Sequence, residues 1–420
     1  MNTHHVAKRV GINTFWLLLG RLGSQGLMIV FTIVIARRLG EVGLGQYSLM
    51  AAVIFAANTL STFGTDLLII REIASTRNYS FVMPALVMQL GISLLLMSVV
   101  FITAPMLPNQ SSEATVALQI YSFALFPLSV YTVLGSVLRG KERMDLFAFL
   151  SVTVMIIQVI GTLLIIQINT SIIALSLMLL GIQIIAAVLA IMFSLSSLSG
   201  IIIGEKLSSK SILKLMRSSY PIALFGFVSV VYQKLSLYSV STLSGAALAG
   251  WFSATLRIVE APKVAHVALL GALYPTMSQA KSQQYNVQNI ASSSRVFSLS
   301  WKVLILIAGL LTVILFLFAE PVILLIYGSR FLPSVTALKI LAWIFIPFTV
   351  SQYLSIRFLA IGEENKIVFA LIISILVLTS LCMLWIPKWG IVGASWATLV
   401  AETVQAAIFL RGWNKIRRGI

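Results

Sequence analysis

Phe81–Leu107 reads FVMPALVMQLGISLLLMSVVFITAPML, a run without Asp, Glu, Lys or Arg. About 20 apolar residues suffice for a helix to cross a hydrocarbon core of about 30 Å. Runs of the same kind recur along the chain. Candidate spans fall at 11–36, 45–70, 81–107, 115–138, 146–168, 172–196, 219–243, 248–279, 296–327, 334–361, 366–387 and 391–411. Barrel strands would be about 10 residues long with strict alternation, and no such pattern occurs. Of 420 residues, 59% are hydrophobic and 10% charged, against about 25% charged in soluble domains. Lipid is the natural solvent for such a chain, and in lipid every backbone polar group needs a partner within the fold. These observations predict an all-α membrane protein of about 12 transmembrane helices.

The basic residues orient the spans. The formal net charge is +17. Lys8, Arg9, Arg71, Arg77, Arg139, Lys141, Arg143, Lys206, Lys210, Lys214, Arg217, Lys281, Arg295, Lys366, Arg411, Lys415, Arg417 and Arg418 fall on one side of the alternating topology. Arg37, Arg38, Arg330 and Lys388 fall on the other. Basic loops stay cytoplasmic, so both termini are expected inside. The first apolar run is longer than a signal-peptide core and has no obvious small-residue cleavage site, so it is read as a retained helix. The basic residues spread over many loops rather than forming one stripe, which argues against nucleic acid as a partner. Cys382 is the one cysteine; an internal disulfide and a multi-cysteine metal site are excluded.

The two halves resemble each other. Gly40–Ser48 (GEVGLGQYS) and Gly245–Ser253 (GAALAGWFS) share G-x4-G-x-[YF]-S. Leu118, Ile120 and Pro127 recur as Leu338, Ile340 and Pro347, and Gly140, Glu142, Phe147 and Ala148 recur as Gly362, Glu364, Phe369 and Ala370. The order of these matches predicts a duplication. It gives a six-helix lobe over 1–196, a basic cytoplasmic linker over 197–218 and a second six-helix lobe over 219–420, the lobes related by pseudo-twofold symmetry.

Ionisable groups at membrane depth cost about 2.5–3.5 kcal/mol on insertion scales and usually face a cavity or a partner. Arg21 lies deep in the first span on a polar stripe with Asn13, Ser24 and Gln25. The seventh span carries Lys234, the eighth Arg257, Glu260, Lys263 and His266 around Pro262, and the twelfth Glu402 and Gln405. Asp66 and Arg357 lie nearer helix ends, where Asp66 has Arg71 as a local partner and Arg357 can reach the interface. Glu260 can neutralise Arg257 or Lys263 at i,i+3. Arg21, Lys234 and Arg257 have no local pairing that accounts for all three, so they are expected to line a cationic cavity, with Lys263 and Gln25 as further binding groups. Glu260, Glu402 and Asp66 are candidates for coupling to an ion or proton. Arginine forks suit phosphate and carboxylate. No P-loop, zinc spacing or nucleophile elbow occurs. No cofactor and no catalytic residue is expected, and the chain is read as a non-enzyme.

Ala36–Ser48 (ARRLGEVGLGQYS) resembles the A-R-x-L-G-x4-G-x-[YF] signature of bacterial polysaccharide transporters. These include the O-antigen flippases, in the superfamily that also holds multidrug extruders and the lipid II flippase. Gly245–Glu260 and Ser219–Ile222 (SYPI) are similar to matching family stretches, and the resemblance covers nearly the whole chain. It implies two six-helix lobes, alternating access, and export of an undecaprenyl-diphosphate-linked oligosaccharide across the bacterial inner membrane for lipopolysaccharide assembly. The implied partners are that lipid-linked substrate, membrane lipids, and the polysaccharide polymerase and chain-length machinery. Two other readings stay open: a multidrug extruder of the same fold, for which acids are few, and a membrane-embedded polymerase, for which external loops are short.

Overall fold

The computed structural model describes residues 3–198, 209–263, 287–361 and 363–418. All regular structure among them is helical. In chain order the α-helices are α1 (Thr3–Thr62), α2 (Thr65–Thr76), α3 (Val82–Thr103), α4 (Ser112–Ser122), α5 (Leu125–Gly140), α6 (Met144–Ile168), α7 (Ile172–Leu198) and α8 (Ser209–Ser244). They continue with α9 (246–263), α10 (Val287–Leu317), α11 (Ala319–Ile326), α12 (Ser334–Ala342), α13 (Phe345–Ile361) and α14 (Glu364–Arg418). Six of these helices are long and apolar enough to cross a bilayer, or nine if each of three bent pairs makes one crossing. Their outward faces carry side chains such as Leu95 (63% exposed), Ile102 (67%) and Ile168 (82%). Apolar surface on that scale is covered by lipid, and the chain is a multi-pass membrane protein.

Two helices do more than one crossing. A straight α1 would be about 90 Å long. It is turned instead at Gly40, where φ is 72° and ψ is −167°. The rings of Phe31 and Tyr47 meet edge to face at 5.1 Å, whereas a straight helix would hold these positions about 24 Å apart. Gly390 (φ 54°, ψ −129°) turns α14 in the same way, bringing Gly393 against the Trp385 carbonyl so closely that a Cβ would collide. Gly245 (φ 85°) separates α8 from α9. The first glycine of each repeated motif therefore takes a left-handed conformation between the first and second spans of its half, which accounts for glycine at both positions. With these reversals the helices follow the order of the twelve expected crossings. The loops anticipated at 37–44 and 388–390 are turns within helices.

Proline writes several of the remaining breaks. A proline inside a helix clashes with the carbonyl four residues back and offers it no N–H. Pro127 and Pro347 place that conflict at Phe123 and Trp343, and there α4 gives way to α5 with a 42° bend and α12 to α13 with a 44° bend. Pro321 does the same at Leu317, where α10 ends and α11 departs at 72°. The carbonyl that Pro105 orphans, on Phe101, accepts from Gln119 Nε2 at 3.0 Å. At the second-half break the Ala342 carbonyl accepts from Thr312 Oγ1 at 2.9 Å. Such side-chain rescue lets a broken helix exist in lipid. The expected spans 115–138, 296–327 and 334–361 are therefore interrupted rather than continuous, and 45–70 is interrupted at Phe63 and Gly64, which both take positive φ.

The repeat extends to side chains. Gln46, in the first motif, donates to Ser111 Oγ at 3.0 Å, and Ser111 caps α4. Trp251, its counterpart, donates from Nε1 to the Arg330 carbonyl at 3.0 Å, and its own carbonyl accepts from Ser334 at the start of α12 at 2.9 Å. Each motif so ties its second span to the entry of its fourth.

The chain forms two compact units, Met1–Val230 and Val231–Ile420. The division falls inside α8, because the first turns of α8 pack with the first unit. Leu215 shares a core with Leu68, Ile69 and Val133, and a Cβ on Gly64 would meet Ile222 and Ala223 at 2.8 Å. The expected lobe boundaries of 196 and 219 thus flank a helix that begins on the first unit; part of the linker 197–218 lies outside the described residues. In the first unit α6 packs along α1 at Gly20, where a Cβ would sit 2.8 Å from that of Ala148. Gly20→Val should destabilise this contact by about 1–3 kcal/mol through overpacking. The check is the melting temperature of the purified protein; an unchanged value would contradict the close approach.

Candidate functional site

Each unit carries a group of charged side chains on its spans. In the first unit Arg21 is exposed on α1 and Gln25, one turn on, is half-buried. Between them in sequence, the buried Ser24 hydroxyl has no hydrogen-bond partner among the described residues. Asp66 stands in the first turn of α2. Its expected local partner, Arg71, instead meets Glu72 at 3.3 Å, because five residues along a helix lie about 140° apart around its axis. Both Asp66 and Arg21 act electrostatically on Arg139 of α5. Arg139 donates to Ser136 Oγ at 3.1 Å and stacks over Phe147 at 5.0 Å. Its place in the last turn of α5 reads as an ordinary interfacial base, so the sequence assigns it no role in this group.

In the second unit the charges converge from α8, α9 and α14. The Glu260 carboxylate bridges two cations, with Oε2 at 3.5 Å from Arg257 Nη1 and Oε1 at 3.9 Å from Lys234 Nζ. One carboxylate thus reaches both Lys234 and Arg257, across the turn at Gly245. Both distances are long, and all three side chains are 18–34% exposed. Tyr327, buried at the end of α11, lies within the electrostatic reach of Arg257 and Glu260. Lys263 is one turn beyond Glu260. Its ammonium lies over the Phe348 ring at 4.6 Å, in the field of both Glu402 and Glu260. Glu402, only 5% exposed, accepts a 2.8 Å hydrogen bond from the Tyr232 hydroxyl. His266 lies outside the described residues. Arg357 stacks on Trp413 at 4.1 Å near the end of its helix, in keeping with an interfacial place.

The balance of charge is the informative quantity. Lys234, Arg257 and Lys263 are grouped with Glu260 and Glu402, and Arg139 lies in the field of both Asp66 and Arg21. Among the described residues, each of these two groups holds one base more than its acids. Uncompensated charge at membrane depth is costly and marks a ligand or ion path. The surplus is positive, which suits an anion, and the arginines offer bidentate geometry to phosphate oxygens. Among the described residues no group of three or more His, Cys, Asp or Glu could hold a metal.

Glu402 and Tyr232 also carry a structural load. Tyr232→Phe removes the donor to a buried carboxylate and should cost about 1–3 kcal/mol. A thermal unfolding midpoint equal to wild type would show that Glu402 has a sufficient partner elsewhere.

The sequence profile of the family described as "Polysaccharide biosynthesis protein" matches residues 10–281. The chain belongs to that family. No match emerges among curated proteins. Solved structures share the family member's fold over almost its full length. "Lipid II flippase MurJ, inward closed conformation" superposes with a TM-score of 0.75 at 15% identity, covering 95% of this chain and 87% of that one. An inward-facing multidrug resistance MATE family transporter of the MOP superfamily superposes at 0.73 with 16% identity, covering 96% and 95%. A MOP superfamily transporter from Pyrococcus furiosus, described as having a binding pocket of reverse polarity, superposes at 0.62 with 16% identity, covering 98% and 96%. The architecture is thus the two-lobe, twelve-helix fold of these transporters, and the polysaccharide biosynthesis family member adopts it with more bases than acids in the charged group of its α8, α9 and α14.

Proposed function

We propose that this protein is a flippase. It moves an undecaprenyl-diphosphate-linked oligosaccharide, an O-antigen or similar repeat unit, from the cytoplasmic to the periplasmic face of the bacterial inner membrane by alternating access. The observation that carries the reading is the excess of cations on the membrane spans of a polysaccharide biosynthesis family member. Arg21, Lys234, Arg257 and Lys263, with Gln25, hold the diphosphate; Arg257 and Arg21 present forks that match two phosphate oxygens. Asp66, Glu260 and Glu402 set how strongly those cations are occupied by the protein's own acids. Outward movement of the diphosphate down an inside-negative potential contributes about 2.3 kcal/mol per charge per 100 mV. Translocation breaks no covalent bond, which makes the protein a non-enzyme. Units delivered outside pass to the polysaccharide polymerase and chain-length machinery. A cationic drug would meet net repulsion at these clusters, which weighs against the extruder reading.

The test is the sidedness of the intermediate that accumulates when the protein is deleted. A membrane-impermeant sugar label on intact spheroplasts should leave the lipid-linked units unlabelled, while disrupted membranes label fully. Strong labelling of single units from outside would mean that flipping persists without this protein, and the polymerase reading would replace this one. A periplasmic reporter active when fused after Arg418 would reverse the orientation of both termini.

A further inference from the structure

A second basic site lies where α2, α5, α6 and α7 end or begin in the first unit. A cavity of about 320 Å³ is lined there by Arg77, Tyr79, Lys141, Arg143, Leu146 and Phe193, among others. The Lys141 ammonium lies over the Tyr79 ring at 5.0 Å. Arg143 is held by Asp145 through two 3.1 Å hydrogen bonds. Arg77, at the left-handed C-cap of α2 (φ 57°), is exposed. Three cations thus line the cavity, while Asp145, the acid bound to one of them, is absent from its lining, as is Glu142.

The cavity is amphiphilic, not only basic. Leu146 and Phe193 line it, and Phe193 meets Phe149 edge to face at 5.8 Å. Phe149 is 60% exposed and Met192, beside Phe193, is 57% exposed. The cavity wall therefore runs on into the lipid-facing surface of α6 and α7. The repeat also distinguishes the two halves at this point. After Gly140 the chain reads Lys141–Glu142–Arg143, and after its counterpart Gly362 it reads Glu363–Glu364–Asn365. Lys141 and Arg143 thus have no basic counterpart at the matching positions of the second half.

The geometry points to a resident site for the phosphate of an anionic phospholipid, with Arg77, Lys141 and Arg143 on the headgroup and Leu146 and Phe193 against the upper acyl chain. Basic pockets between helix ends recognise anionic headgroups in this way. The site is separate from the charged spans and stands whether or not the chain moves a lipid-linked sugar.

The full-length protein, extracted from phosphatidylcholine membranes doped with phosphatidylglycerol, should retain phosphatidylglycerol preferentially by native mass spectrometry. Arg77→Asn with Lys141→Gln should lower that retention at least tenfold, at roughly fivefold per cation. Asn tolerates the left-handed cap. The charge-keeping pair Arg77→Lys with Lys141→Arg should keep most of it. Displacement by inorganic phosphate alone would assign the same cations to a soluble phosphate compound and overturn the lipid source. Equal retention in the neutralised and wild-type proteins would overturn the site. Should the neutralised variant fail to assemble, the wild-type protein decides alone: no preference for phosphatidylglycerol over phosphatidylcholine overturns the site. Because the readout is lipid retention, its failure and a failure of the transport reading remain distinct results.

Discussion

On the proposed function, Arg257→Glu is expected to abolish export of the lipid-linked glycan while the protein still reaches the membrane. The substitution places a second carboxylate beside Glu260, which now sits 3.5 Å from the arginine, and leaves Lys234 and Lys263 against three acids. A charge-assisted hydrogen bond contributes about 1.5–3 kcal/mol, so losing the arginine alone costs roughly tenfold to a hundredfold in affinity, and the reversed charge adds repulsion. Arg257→Lys separates two origins of that effect. Lysine preserves the point charge but not the planar fork, so a large loss with lysine assigns bidentate phosphate binding, and a small loss assigns charge alone. Glu260→Gln moves in the opposite direction. It frees both Lys234 and Arg257 from their shared acid, and the expected result is tighter substrate retention with slower release. Complementation of a deletion strain, read as surface glycan against the amount of membrane-inserted protein, checks the series. Normal export from Arg257→Glu, or from an Arg21→Glu, Arg257→Glu double variant, would remove these cations from the substrate path.

Gly40→Val is expected to prevent accumulation of folded protein. The backbone there has φ 72° and ψ −167°, a region open almost only to glycine and costing other residues about 1–3 kcal/mol. A β-branched side chain adds further restriction. The turn also decides whether the first sixty residues make two crossings or one overlong helix, so the failure extends beyond local strain. Gly26 is the matched control, since a Cβ there would meet nothing within 4 Å. Gly26→Ala should be neutral or slightly stabilising. The measurement is the yield of monodisperse protein and its melting temperature. A Gly40→Val protein as stable as wild type would refute the glycine-only turn.

Much of the architecture was legible in the sequence because lipid leaves few choices. Long uncharged runs are helices, and their order, together with G-x4-G-x-[YF]-S at 40 and 245, pointed to a duplicated bundle. The breaks were written in Pro127, Pro321 and Pro347, but proline is tolerated in membrane helices when neighbours rescue the freed carbonyls. Whether a helix bends then depends on residues such as Thr312, far away in sequence. The charged groups were found individually and missed as assemblies. Arg257 and Glu260 are an i,i+3 pair that periodicity reveals. Lys234 joins them only because Gly245 folds α9 back towards α8. Tyr232 and Glu402 are 170 positions apart, and no local pattern links them. The Asp66–Arg71 pairing failed for a simpler reason: both lie on one helix but not on one side of it.

The turns at Gly40, Gly245 and Gly390 all belong to odd-numbered connections, and these connections contain almost no chain. The others in that series are as spare: residues 169–171 between α6 and α7, and the few residues around Leu107–Ser111 and Gly328–Pro333. In the proposed orientation the periplasmic surface is therefore nearly smooth. A protease added from outside finds little extended backbone to cleave, and an epitope inserted at Gly40 or Gly390 would have to open a helix to be displayed. Tags, affinity handles and labels for this protein belong on the opposite surface, at its basic connections and its C-terminus.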